Sequence, residues 1–222
     1  MKPLKNTLLA LGICAASVTA GCAGGDQVAP TRGVYMLIDT SGTYTEELKK
    51  AQTIINFVLA KLNPGDSFAV ASINTGSFTE KDIIDKVTFD DRPSMANAQK
   101  RQFRETVDKF VNDVHPSAYT DVTGGILQAT EYLDEKNPGH KTILVFSDLK
   151  EELKKGYVRN IPLQLNGTDV VAMNVTKLHS DNVDPREYMG RLDMWRKRVE
   201  AGGGHWRVVN DLERLDDIMA YN

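Results

Sequence analysis

Thr142-Ile143-Leu144-Val145-Phe146 is an unbroken apolar run, bounded by Pro138-Gly139 before it and Ser147-Asp148 after it. A strand with one wet face alternates apolar and polar residues. A run without alternation suits a strand buried on both faces of a parallel sheet, and such a sheet needs helices on both sides. The rest of the chain supplies that pattern. Gly33 to Ile38, Ser67 to Ile73, Val170 to Val175 and Trp206 to Val209 predict further strands, and Ile83 to Phe89 a shorter, charged edge strand. Apolar residues near a 3.6-residue period predict helices over Thr45 to Leu62, Ala96 to Val114, Val122 to Leu133, Pro185 to Ala201 and Leu212 to Met219. Asn63-Pro64-Gly65-Asp66, Lys136-Asn137-Pro138-Gly139 and Gly202-Gly203-Gly204 serve as helix stops. The expected fold class is α/β, a doubly wound, mostly parallel central sheet with helices on both faces. The string Glu-Glu-Leu-Lys-Lys occurs at Glu46 to Lys50 and again at Glu151 to Lys155. Acids followed by bases a turn later read as two solvated helix starts, not as a repeat of the fold.

Ligands of such sheets sit at the carboxyl ends of the strands, so the residues that leave those ends carry the functional reading. Val34 to Ile38 delivers Asp39-Thr40-Ser41-Gly42-Thr43, in which Asp39, Ser41 and Thr43 are alternate oxygen donors. Thr120 opens the loop-to-helix segment Thr120-Asp121-Val122-Thr123-Gly124-Gly125, and Asp148 follows the apolar strand. All three segments arrive at one sheet edge. Carboxylate and hydroxyl oxygens suit hard cations such as Mg²⁺ or Mn²⁺ rather than zinc.

This spacing resembles the metal-ion-dependent adhesion site of the von Willebrand factor A (VWA) family: D-x-S-x-S/T, a distant Thr, then an Asp after a central strand. The resemblance covers nearly all of Gly33 to Asn222. It implies a VWA-like domain in which Ser41, Thr43 and Thr120 bind metal through hydroxyls, while Asp39 and Asp148 act largely through bound waters. It further implies a protein ligand presenting an Asp or Glu carboxylate, captured at a rim of Tyr44, Ser117, Tyr119, Lys150 and Glu151, with the Leu149 to Glu152 segment contributing. That is binding chemistry and not catalysis. One departure is Leu149, where Gly is common in the family.

Two other readings of the same residues stand beside this one. Asp39 and Asp148 would serve as strand-end capping carboxylates, with Ser41, Thr43 and Thr120 as ordinary helix caps. Alternatively, Leu37 to Thr43 resembles the first motif of haloacid dehalogenase-like phosphatases, with Asp39 as nucleophile. Ser41 then stands where that family has its general acid. His115, His140, His179 and His205 fall in scattered loops without paired spacing, and Trp195 and Trp206 read as packing residues.

The chain opens with Lys2 and Lys5, an apolar stretch from Leu8 to Ala20, and the small pair Ala20-Gly21 before Cys22. That order is a secretory signal, and its end resembles the lipobox of bacterial lipoproteins, with Thr19 in place of the usual aliphatic residue. Residues 1–21 are expected as the signal peptide, 22–32 as a lipidated tether and 33–222 as the domain. The alternative is cleavage at a plain site that leaves a soluble periplasmic protein. Removing Lys2 and Lys5 leaves 25 basic residues against 30 acidic, a balance of −5. This excludes a nucleic-acid partner from the expectation and leaves the lipid as the membrane anchor. Ala23 follows Cys22, so a cell with two membranes is expected to carry the protein at its outer one.

Overall fold

The protein is described from a computed structural model covering residues 30–42, 47–74, 79–175, 184–210, 216 and 219. The signal segment, Cys22, Thr43, Tyr44, His179 and nearly all of the expected final helix lie outside the described residues. The elements are β1 (Arg32–Ile38), α1 (Leu48–Lys61), β2 (Ser67–Ser72), β3 (Ile83–Thr88), α2 (Pro93–Asp113), α3 (Val122–Lys136), β4 (His140–Phe146), β5 (Asp169–Met173), α4 (Pro185–Ala201) and β6 (His205–Val209). They build one sheet in the order β3-β2-β1-β4-β5-β6. All neighbours are parallel except β3, which runs antiparallel to β2 at the edge. The doubly wound α/β sheet expected from the apolar runs is therefore the fold.

The two-residue period of β1 distributes its side chains between two cores. Val34, Met36 and Ile38 meet Ile54 and Val58 of α1 and Phe103 and Val107 of α2. Tyr35 and Leu37 meet Ile126 and Leu133 of α3 and Trp195 and Val199 of α4. From Val34 onward every residue of β1 is fully buried, which is why this strand shows no alternation. Helix α3 lies close against the sheet because Gly125 has no side chain; a Cβ there would stand 2.5 Å from Ile73 Cγ2.

Several boundaries differ from the sequence reading. Strand β5 ends at Met173, short of Val175, because Asn174 adopts a left-handed conformation at φ 52° and turns the chain. Helix α3 continues to Lys136, where Asn137 at φ 45° closes it. His140 and His205 open β4 and β6 instead of lying in loops. The largest correction concerns Glu151 to Lys155, which is no helix start. Glu152 is held there by an antiparallel bridge to Thr120, with backbone bonds of 2.9 Å in both directions, and these tertiary bonds override the local charge pattern. The first copy of the string does start a helix, with Glu47 as the cap of α1.

Candidate metal centre

In the order 3-2-1-4-5-6 the chain reverses its winding between β1 and β4, and a crevice opens at the carboxyl ends of those two strands. Asp39 leaves β1 there with its amide bonded to Phe146 O of β4 at 2.9 Å, and Ser147-Asp148 leaves β4 beside it. Backbone bonds bring the other segments in. Ser117 N donates to Thr40 O at 2.7 Å, and Asp121 N donates to Ile73 O at 3.1 Å at the end of β2. Thr120 is thereby fixed between the two strand ends.

The result is a cleft of about 370 Å³ lined by Ser41, Gly42, Ser117, Ala118, Thr120, Asp148, Lys150 and Glu152. Asp39 lies beneath its floor with no exposed surface. One carboxylate oxygen accepts from Ser41 N at 2.8 Å and from Thr120 Oγ1 at 3.4 Å, while the other accepts from Ser147 Oγ at 2.7 Å. Asp148 accepts from Lys150 N at 2.8 Å. Burial pushes both carboxyls above their ordinary range, and for Asp148 the nearby Asp39 charge adds to the effect. Among the described residues neither carboxylate makes a salt bridge: Lys150 is bonded to Glu152 at 2.6 Å and Arg191 Nε donates to Asp148 O at 2.8 Å, although both cations are near enough for their charges to offset part of the burial of Asp148.

Four of the five expected ligands, Asp39, Ser41, Thr120 and Asp148, are thus gathered at one cleft, and the fifth, Thr43, lies outside the described residues. Thr120 is not a helix cap. Asp121 caps α3, accepting from Gly124 N at 2.7 Å, so the Thr120 hydroxyl turns to Asp39 instead. Of the expected rim, Ser117 and Lys150 line the cleft and Tyr119 is exposed close by. Glu151 is turned away: its carboxylate accepts from Thr123 N at 2.7 Å at the start of α3 and faces Arg198 at 3.6 Å, and Glu152 takes the place at the rim.

Ser147, whose hydroxyl holds Asp39, is marked in the sequence only as a serine between an apolar strand and an Asp. Arg191 had no signal, since its role depends on where α4 packs. Among the described residues no three His, Cys, Asp or Glu side chains converge on a point. Two carboxylates with hydroxyls are a donor set for a hard cation, and neighbouring buried carboxylates whose charge the fold offsets only in part are the arrangement a dication relieves.

The sequence matches no family model and no curated protein. The fold has solved counterparts. A von Willebrand factor type A protein from Catenulispora acidiphila superposes with a TM-score of 0.50 at 18% identity over 85% of this chain and 41% of that one. The pilus adhesin SpaC from Lactobacillus rhamnosus GG, in its open conformation, superposes at 0.53 with 10% identity over 86% of this chain and 29% of that one. This is a VWA fold. The chain spans less than half the length of either protein.

Within that VWA fold the departure at Leu149 has a structural account. Leu149 sits at φ 66°, the left-handed region that favours glycine. The conformation costs a side-chain-bearing residue about 1–2 kcal/mol. Its side chain is 1% exposed in the core under α4, and burying a leucine is worth about 1.5–3 kcal/mol. Two further bonds fix its backbone: Leu149 N donates to Ser147 Oγ at 2.9 Å, and Trp195 Nε1 donates to Leu149 O at 2.9 Å. Burial and hydrogen bonding together hold the loop after β4 in a left-handed shape that glycine would adopt without strain.

Proposed function

We propose that this chain is an envelope-anchored VWA domain that holds Mg²⁺ or Mn²⁺ at Asp39, Ser41, Thr43, Thr120 and Asp148 and uses the ion to capture a carboxylate of a protein partner. The observation that carries this reading is the pair of buried carboxylates, Asp39 and Asp148, at an open cleft with no salt bridge among the described residues, Lys150 and Arg191 offsetting the burial of Asp148 only in part. Ionised, such groups cost several kcal/mol unless a cation sits nearby. Ser41 and Thr120 add neutral oxygens, so a bound ion keeps net positive character and an appetite for an outside acid. Adhesion, the role in the name of SpaC, is one form such capture takes.

The phosphatase alternative is weaker on geometry. A nucleophilic carboxylate must reach phosphorus, whereas Asp39 has no exposed surface and each of its oxygens accepts a hydrogen bond. We therefore read the domain as a binding module and not an enzyme. The anchor in this reading is lipid on Cys22, after removal of residues 1–21, with 22–32 as tether and 33–222 as the domain. Mass spectrometry of the mature amino terminus should find an acylated cysteine, and an unmodified terminus elsewhere rules the anchor out.

Calorimetric titration of the mature chain with MgCl₂ and with MnCl₂ tests the metal. Saturable binding of one ion is expected, with Asp148→Ala weakening it by at least about tenfold, or 1.4 kcal/mol. Silence with both ions at millimolar concentration, repeated in the presence of an acidic peptide, would sink the proposal.

A further inference from the structure

The connection between β4 and β5 joins two parallel neighbours, a link that is usually helical. Here residues 147–168 contain no helix. Irregular connections of this length are uncommon in compact domains, and ordered ones usually carry function. This one is ordered by anchors. Glu152 is bridged to Thr120 by backbone bonds of 2.9 Å each way. Seven residues later, Arg159 Nε donates to the buried Asp121 carboxylate at 2.8 Å. Both anchors are adjacent residues of the metal-site loop, so the segment between them is a short excursion beside the cleft.

The tip of that excursion is apolar and exposed. Gly156 turns the chain at φ 94°, and Tyr157 and Val158 follow with 51% and 76% of their surface in solvent. The Tyr157 ring lies 5.8 Å from the Arg159 guanidinium, which is itself held by Asp121. This contact favours one placement of the ring, and the anchored backbone beneath it lowers the ordering cost when something packs on it. Lys154 and Lys155 are exposed on the same excursion, and neither forms a salt bridge among the described residues. Apolar surface, an aromatic ring on an anchored loop and two exposed lysines together fit an acidic segment with a large apolar side chain.

We propose that Tyr157 and Val158 form an apolar foothold beside the metal site, so that the captured segment is recognised by two groups at once: an Asp or Glu at the ion and a Leu- or Phe-like side chain a few residues away. This inference rests on the metal-dependent reading above. Lys154 and Lys155 favour acidic residues flanking the apolar one. Continuity between the cleft and the tip, through Thr120-Glu152 and Asp121-Arg159, is what ties the two contacts to one partner.

The test uses the mature chain and short synthetic peptides with one Glu in an Ala/Ser/Gly background, carrying either Leu or Ala at each spacing from the Glu. Fluorescence anisotropy in millimolar Mg²⁺ should show at least one Leu peptide binding about tenfold or more tighter than its Ala counterpart. The exposed double variant Tyr157→Ser/Val158→Ser should lose that preference, while its calorimetric Mg²⁺ binding shows that the ion site is intact. Equal binding of Leu and Ala peptides, or a preference that survives the double variant, overturns the foothold alone. Absence of both metal heat and peptide binding overturns the metal reading with it. If the wild type shows no peptide preference yet sediments with phosphatidylglycerol vesicles, and the double variant does not, the tip is a membrane contact and the proposal fails.

Discussion

Asp39→Asn is expected to make the metal-free domain more stable at neutral pH and, at the same time, insensitive to Mg²⁺. Asp39 is fully buried, and burial raises its pKa, so the folded state disfavours its charge. The neutral amide keeps the shape and still accepts from Ser41 N through its oxygen. The sign with pH follows from linkage. A carboxyl whose folded pKa lies above its unfolded value lowers stability once it is ionised in both states. Its penalty is therefore complete above the raised folded value and vanishes as pH falls to the ordinary value of 3.8. The gap between variant and wild type should close over that window. Metal reverses the order at neutral pH. An ion bound only by the folded state adds RT ln(1 + [L]/Kd), about 2.7 kcal/mol at a hundredfold excess over Kd, and the variant should show almost none of it. Urea unfolding of both proteins, in EDTA and in Mg²⁺, at neutral and at acidic pH, reads all these quantities. Equal Mg²⁺ stabilisation of the two proteins would remove Asp39 from the site.

Trp195→Ala should cost more than any other single truncation named here. The indole is fully buried between α4 and the sheet, and removing a side chain of this size costs about 3–5 kcal/mol. In a domain of this length that lowers Tm by roughly 10 °C. The loss also reaches the cleft, because the indole N–H holds Leu149 O next to Asp148. Trp195→Phe separates the two effects: it retains most of the packing and removes the hydrogen bond, worth about 1 kcal/mol. We expect the phenylalanine variant to fold with a small loss of stability and a measurably weaker affinity for Mg²⁺. Thermal unfolding and calorimetry check this, and a Trp195→Ala loss below about 1 kcal/mol would contradict the packing described.

The fold was legible because its central strands are buried on both faces. β1 and β4 leave continuous apolar runs that few other arrangements tolerate, and the helix stops at Asn63 to Asp66 and at Gly202 to Gly204 lie where the chain turns. Asp39, Ser41, Thr120 and Asp148 were legible as a group because each follows a strand or opens a helix, and parallel topology brings those points to one edge. What local pattern did not reveal depends on tertiary partners. Glu151 to Lys155 carries the charges of a helix start, yet Glu152 pairs with Thr120, and Glu151 caps α3 from across the cleft's edge. Arg191 and Trp195 act on Asp148 and Leu149 from more than forty positions away. Leu149 adopts a glycine-like backbone only because a core and an indole surround it.

A doubly wound sheet of this order reverses its winding once, between β1 and β4, and so it has one such crevice. With Asp39 closing the floor, an ion held there as proposed would accept a partner from one side only, so each crevice would make a single contact at the metal. If the proposed capture acts between surfaces, its strength is set less by the affinity of one cleft than by how many anchored copies engage together. Avidity then rises with surface density, and a modest Kd per copy suffices for a durable attachment that can still be peeled apart one contact at a time.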